Sequence, residues 1–252
     1  MISWARGSVV VASLAAVWWL DADGAAWAVS SGVGAWASAP LLLAQLAPGT
    51  AELAAYRGLH AAAARDDVAE IEQLAASGAD LNARDGHGRT ALMVAAHRGA
   101  HAAAAALIAA GADLNALDHD RYDVLTIAAV RDDEALVRAA IAAGADPGLT
   151  TSPYAGTALI AAAHLGHDGV VRALIEGGTP LDHINNLGWT ALIEAIVLGD
   201  GGPRHLATVE ALVEAGAKLD LADRSGATPL GLARRRGHDA IVDLLEGAGA
   251  TP

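Results

Sequence analysis

The chain has 252 residues, with 29 Asp and Glu against 16 Lys and Arg, for a net charge of −13. That balance excludes a protein that tracks a nucleic-acid backbone with clustered cations, and the absence of cysteine excludes disulfide frameworks, thiolate zinc sites and cysteine nucleophiles. Hydrophobic residues make up 54% of the chain, yet there is no Phe and aromatics are only 4%, so a core must come from thin helices in close approach rather than from bulky side chains.

The N-terminus opens with one basic residue, Arg6, followed by the apolar run Gly7–Leu20. Ala26-Trp27-Ala28 and Ala35-Trp36-Ala37 have the small-x-small form of a signal-peptidase site. This order predicts an export segment over 1–28 and a periplasmic or secreted protein. The apolar run is shorter than the ~20 residues that span a bilayer. Asp21 and Asp23 interrupt the pattern, which keeps a cytoplasmic protein with an N-terminal extension as the alternative. Residues 29–58 read as a linker, with Pro40 and Pro48 opposing a retained helical anchor.

From residue 59 the sequence repeats. Gly78-Ala79-Asp80-Leu81-Asn82-Ala83 recurs at Gly111 and more weakly at Gly144, Gly178, Gly216 and Gly249, with spacings of 33, 33, 34, 38 and 33 residues. A second phrase keeps phase with it: Thr90-Ala91-Leu92, Asp123-Val124-Leu125, Thr157-Ala158-Leu159, Thr190-Ala191-Leu192 and Thr228-Pro229-Leu230. Thr supplies an N-cap oxygen, and Pro229 suits a first helical position. Gly99, Gly166, Gly199 and Gly237 are placed to stop the first helix of each unit. A second helix follows, as in Val170-Val171 with Leu174-Ile175, and the next Gly-Ala-Asp phrase ends it.

These marks resemble the ankyrin repeat. The resemblance covers a capping half-repeat, Leu59–Ala83, and units over 84–116, 117–149, 150–183, 184–221 and 222–250. It implies an all-α solenoid over 59–252, about six helix-loop-helix units with turn or hairpin tips. The fifth unit carries five extra residues, within Asp200–His205.

The resemblance also implies a non-catalytic module that binds a protein partner through turn tips and the concave ends of the first helices, as a monomer and without a cofactor. Carried over by position, the tip aromatics are Tyr122, Tyr154 and Trp189. The concave positions include His97, Arg131 and His164, and the insertion adds Arg204 and His205. Arg89 also falls at a tip. Trp, Tyr and Arg dominate interface energies most often. Glu194 occupies a slot that holds Val94, Ile127, Ala161 and Leu232 in other units. A buried carboxylate needs hydrogen bonds, so Glu194 is expected to hold the loop at Gly201 and Gly202. The alternatives are a structural or protective accessory protein and a metal-dependent hydrolase using His97, His164, Glu194 and His205. No H-E-x-x-H, G-x-S-x-G or phosphate-binding loop supports the last.

Overall fold

The computed structural model describes residues 47–251. The expected export segment over 1–28 lies outside the described residues, as does the linker stretch up to residue 46. From there a short helix, α1 (Thr50–Ala55), precedes six helix pairs. The first helices are α2 (Gly58–Ala64), α4 (Ala91–Arg98), α6 (Val124–Val130), α8 (Ala158–Leu165), α10 (Ala191–Val197) and α12 (Pro229–Arg236). Their partners are α3 (Val68–Ala76), α5 (His101–Ala109), α7 (Glu134–Ala142), α9 (Asp168–Glu176), α11 (Pro203–Glu214) and α13 (Asp239–Gly247). Each first helix packs on the first helix of the next unit, and each second helix on the next second helix. The result is a two-layered, all-helical solenoid. No helix among the described residues is long and apolar enough to cross a membrane.

Local chemistry sets the helix ends. The Thr90, Asp123, Thr157, Thr190 and Thr228 side chains each accept from the backbone N–H three residues on, satisfying an otherwise orphaned donor. Gly99, Gly166 and Gly237 close their helices in the left-handed conformation. Gly199 was expected to do the same, but α10 is capped one residue earlier, by Leu198 in right-handed geometry. Gly199 instead allows close approach, since a Cβ there would run into the Ala195 carbonyl and the His205 ring.

The core runs the length of the stack. Leu59, Leu92, Leu125, Leu159, Leu192 and Leu230, one in each first helix, are buried, as are Leu107, Leu174, Leu212 and Leu245 from the second layer. Alanine pairs such as Ala95-Ala96, Ala128-Ala129 and Ala162-Ala163 are fully buried. Small side chains at these positions allow close approach of neighbouring helices.

α1 falls in the stretch read as linker. Its Glu52 accepts from Arg89 Nη2 at 2.6 Å, and Tyr56 just beyond it donates to Asp85 Oδ2 at 2.7 Å. Arg89 is 1% exposed and also donates to Asp85 Oδ2 at 2.7 Å. Burial would raise the Asp85 carboxyl, but hydrogen bonds from Tyr56 and Arg89 outweigh it and lower its pKa to about 2. Arg89, expected at an exposed tip, is thus part of the seam that joins α1 to the repeats.

Candidate interaction surface

The tips are built on one recurring device. Asp85, Asp118, Ser152, Asn185 and Asp223 occupy the same position in successive units. Each side-chain oxygen accepts from the backbone N–H groups two and four residues on. Such Asx-type turns fix the loop against its own backbone. The tips are also bonded to one another. His119 N donates to the His87 carbonyl at 3.0 Å, Ser152 N to Arg121 O at 2.9 Å and Asn186 N to Tyr154 O at 2.8 Å. The Arg224 guanidinium donates to the Asn186 carbonyl.

This geometry redistributes the expected tip aromatics. The carbonyl that closes the turn accepts from the residue at its start in the turns of Tyr122 and Trp189, from Asp118 N and Asn185 N, whereas in the fourth unit Gly156 O accepts from Thr151 N. Tyr122 is 4% exposed and part of the core, not of the edge, and burial pushes its hydroxyl pKa up to about 12. Trp189 is half-buried against the core. Tyr154 is half-buried beside the exposed Pro153. Sequence reasoning missed Ile184, which among the described residues is the large apolar side chain left exposed, at 51%. It lies on the tip of the fifth unit, where Asn186 is bonded to both Pro153 O and Tyr154 O. Its signal was a β-branched residue one position before the turn-forming Asn185.

At the other end of the first helices, His97 is buried and its Nε2 has no hydrogen-bond partner. Burial, with the Arg89 and Arg131 guanidiniums, pushes its pKa down to about 4. Arg131 is exposed. His164 is half-buried, and its Nδ1 lies 3.4 Å from Glu194 Oε2.

Glu194 is fully buried, as its slot requires, but its partners correct the expected role. Asn185 Nδ2 donates to Glu194 Oε1 at 2.7 Å, and His164 faces the other oxygen. The Gly201-Gly202 loop is held elsewhere: Gly202 N donates to Asp200 Oδ1 at 2.8 Å, and His205 bridges Asp200 Oδ1 and the His164 carbonyl. The reason is reach. Glu194 sits one turn before the end of α10 and points toward the tip of its own unit, away from the insertion. Gly201 takes a left-handed φ of 70°, and a Cβ on it would strike the His238 ring. The insertion extends the second helix, so α11 has 12 residues where the other second helices have 9. Arg204 on it reaches back to Asp132 Oδ2 at 2.6 Å, two units away.

His164 thus faces Glu194 with its ring and meets His205 only through its backbone carbonyl, whereas His97 lies two units away. Among the described residues, no three His, Asp or Glu side chains converge as a metal-holding group.

Comparison with known proteins agrees with this architecture. The family model described as ankyrin repeats (three copies) matches residues 42–118, 59–151 and 125–223. The Escherichia coli K12 protein YahD, described as an ankyrin repeat protein, is 44% identical over 86 residues, 34% of this chain and 43% of that protein; the match therefore spans less than half of that relative. A crystal structure of an ankyrin repeat domain from Acinetobacter baumannii AYE is 45% identical, with a TM-score of 0.73, covering 77% of this chain and 98% of that one. A complex of a predatory endopeptidase from Bdellovibrio bacteriovorus with an immunity protein holds a chain 25% identical, with a TM-score of 0.64, covering 76% and 98%. With the repeat phase, the stacked helix pairs and these matches in agreement, the chain belongs to the ankyrin repeat family.

Proposed function

We propose that this protein is a non-catalytic recognition module that binds a protein partner through the tip edge of its fourth and fifth units and the adjoining ends of its first helices. Ankyrin repeats are protein–protein interaction modules, and a chain of this fold occurs in the endopeptidase–immunity protein complex. The observation that carries the reading is Ile184. A solvent-exposed isoleucine on a tip that is hydrogen-bonded to its neighbours has nothing to gain within the chain. With Pro153 and Tyr154 on the adjoining tip, whose carbonyls Asn186 binds, it offers an apolar anchor on a hydrogen-bonded backbone whose ordering cost is already met.

The export-type sequence over 1–28 supports a periplasmic or extracellular setting for this encounter. Affinity capture from the periplasmic fraction tests the reading. Ile184→Asp and Tyr154→Ala should each release a partner held by the wild-type chain while leaving the helical spectrum unchanged. Full retention of every captured protein by both variants would show that the tip edge is not the site.

A further inference from the structure

In an acidic chain, a cation without a partner is conspicuous. Among the described residues, the Lys and Arg side chains are hydrogen-bonded or ion-paired to carboxylates, hydroxyls or backbone carbonyls, except Arg98, Arg131 and Arg235, and the last of these lies close enough to Asp223 to lower its pKa. All three stand at the C-terminal ends of first helices. Arg98 and Arg131 are in adjacent units and in the same register, each directly before a left-handed residue, Gly99 or Asp132. The Arg131 guanidinium lies beside Gly99, 3.4 Å from where a Cβ would stand, so it leans back toward the end of α4 that carries Arg98.

The two acids that follow Arg131 in sequence are engaged elsewhere. Asp132 Oδ2 is taken by Arg204, and Asp133 Oδ2 by His101, each at 2.6 Å. Beneath them His97 is buried with an unpartnered Nε2, its pKa lowered first by that burial and then by the Arg89 and Arg131 guanidiniums. The negative end of each helix dipole favours an arginine at this position. That attraction leaves the forked N–H donors of both guanidiniums unused.

We propose that Arg98 and Arg131 form a two-pronged clamp for carboxylates on an acidic segment of the protein partner. The inference rests on the binding reading above and names the chemistry its partner presents. Each guanidinium fits one carboxylate in bidentate fashion. Neighbouring first helices pack about 8–10 Å apart. A polyproline-type segment brings every third residue to one side, about 9 Å apart. The matching sequence is therefore acidic-x-x-acidic in extended conformation. A nucleic-acid backbone is disfavoured, because the net charge of −13 repels it at long range.

Fluorescence anisotropy of a labelled proline-rich peptide with glutamates three residues apart, added to the full chain, tests the clamp. The peptide should bind at 50 mM salt and weaken as salt rises. Replacing both glutamates with Gln, or Arg98 and Arg131 together with Gln, should each weaken binding at least tenfold. Arg→Lys at both positions should fall between, retaining charge but losing the fork. Equal binding of the Glu and Gln peptides, or no binding of either, overturns the clamp, as does undiminished binding by the double Gln variant. Preference for a single-stranded oligonucleotide over the Glu peptide also overturns it. The partner-capture assay separates the two ideas: if Ile184→Asp releases the partner and Arg98→Gln/Arg131→Gln does not, the clamp fails and the module reading stands. Loss of capture in neither fails both.

Discussion

Glu194 and Asn185 form a matched pair across the fifth unit, the amide Nδ2 donating to the buried carboxylate at 2.7 Å. The match is dictated from both sides. In three other units the turn-holding residue is an aspartate: Asp85, Asp118 and Asp223. In the fifth unit an aspartate would set one carboxylate against another in a buried site. An asparagine keeps the accepting oxygen for Leu187 N and Trp189 N and turns a donor toward Glu194.

The pairing predicts strong coupling. Asn185→Asp should destabilise the chain by about 3 kcal/mol or more at neutral pH, because it leaves a buried charge facing its like. Glu194→Gln alone should cost under about 1 kcal/mol, since its amide oxygen still accepts and its nitrogen can donate to His164. Combining the two should recover most of the loss, which urea denaturation of the four proteins in a double-mutant cycle would reveal. Simple addition of the two effects would show that the residues do not act as a pair.

The stacking order was legible in the sequence because it depends on periodic marks: capping Thr, stopping Gly and paired apolar positions recur in phase and act locally. That Glu194 must be buried was legible for the same reason, from the apolar residues in its slot. Its partners were not. Asn185 lies nine residues upstream and His164 in the preceding unit, and only the closed turn and the inter-unit register bring them together. Tyr122 shows a related limit. Its place at a tip could be read, but the burial of its ring in the core depends on how successive units stack. The cue that could have found the Glu194 partner was the Asn in a slot otherwise held by Asp or Ser.

The insertion carries a second prediction, about which contacts matter. The Arg204–Asp132 ion pair is conspicuous, yet the two side chains are 55% and 41% exposed. Such pairs contribute about 0.2–1 kcal/mol, so Arg204→Ala should lower the melting temperature only slightly. Gly199→Ala should be far worse, at about 3 kcal/mol, because the added methyl meets the Ala195 backbone carbonyl, which cannot move without distorting α10. Gly201→Ala should fall between the two: its φ is left-handed, but the obstacle is the His238 ring, a side chain that can rotate. Thermal unfolding of the three variants gives the order directly. An Arg204→Ala loss matching that of Gly199→Ala would mean that the Arg204–Asp132 ion pair, not close packing, holds the loop.

Two buried titratable groups set opposing pH slopes. His97 has a pKa of about 4 in the folded chain, below the 6.5 of an unperturbed histidine, because of burial first and then the Arg89 and Arg131 guanidiniums. Between those values the unfolded chain binds the extra proton, so this term stabilises above pH 6.5 and is lost as pH falls toward 4. Asp123 is raised from 3.8 to about 6 by burial, against the hydrogen bonds it accepts at the start of α6. There the folded chain holds the extra proton, so its contribution is present below pH 3.8 and is lost as pH rises through 6. Each full window amounts to about 3 kcal/mol, and the two nearly cancel between pH 4 and 6. Removing one should expose the other. Asp123→Asn, which keeps a capping oxygen, should make stability fall steeply as pH drops from 6 to 4. His97→Leu should instead make stability fall as pH rises over that interval. Urea midpoints at pH 4, 5, 6 and 7 decide the matter, and slopes identical to wild type in both variants would refute the cancellation.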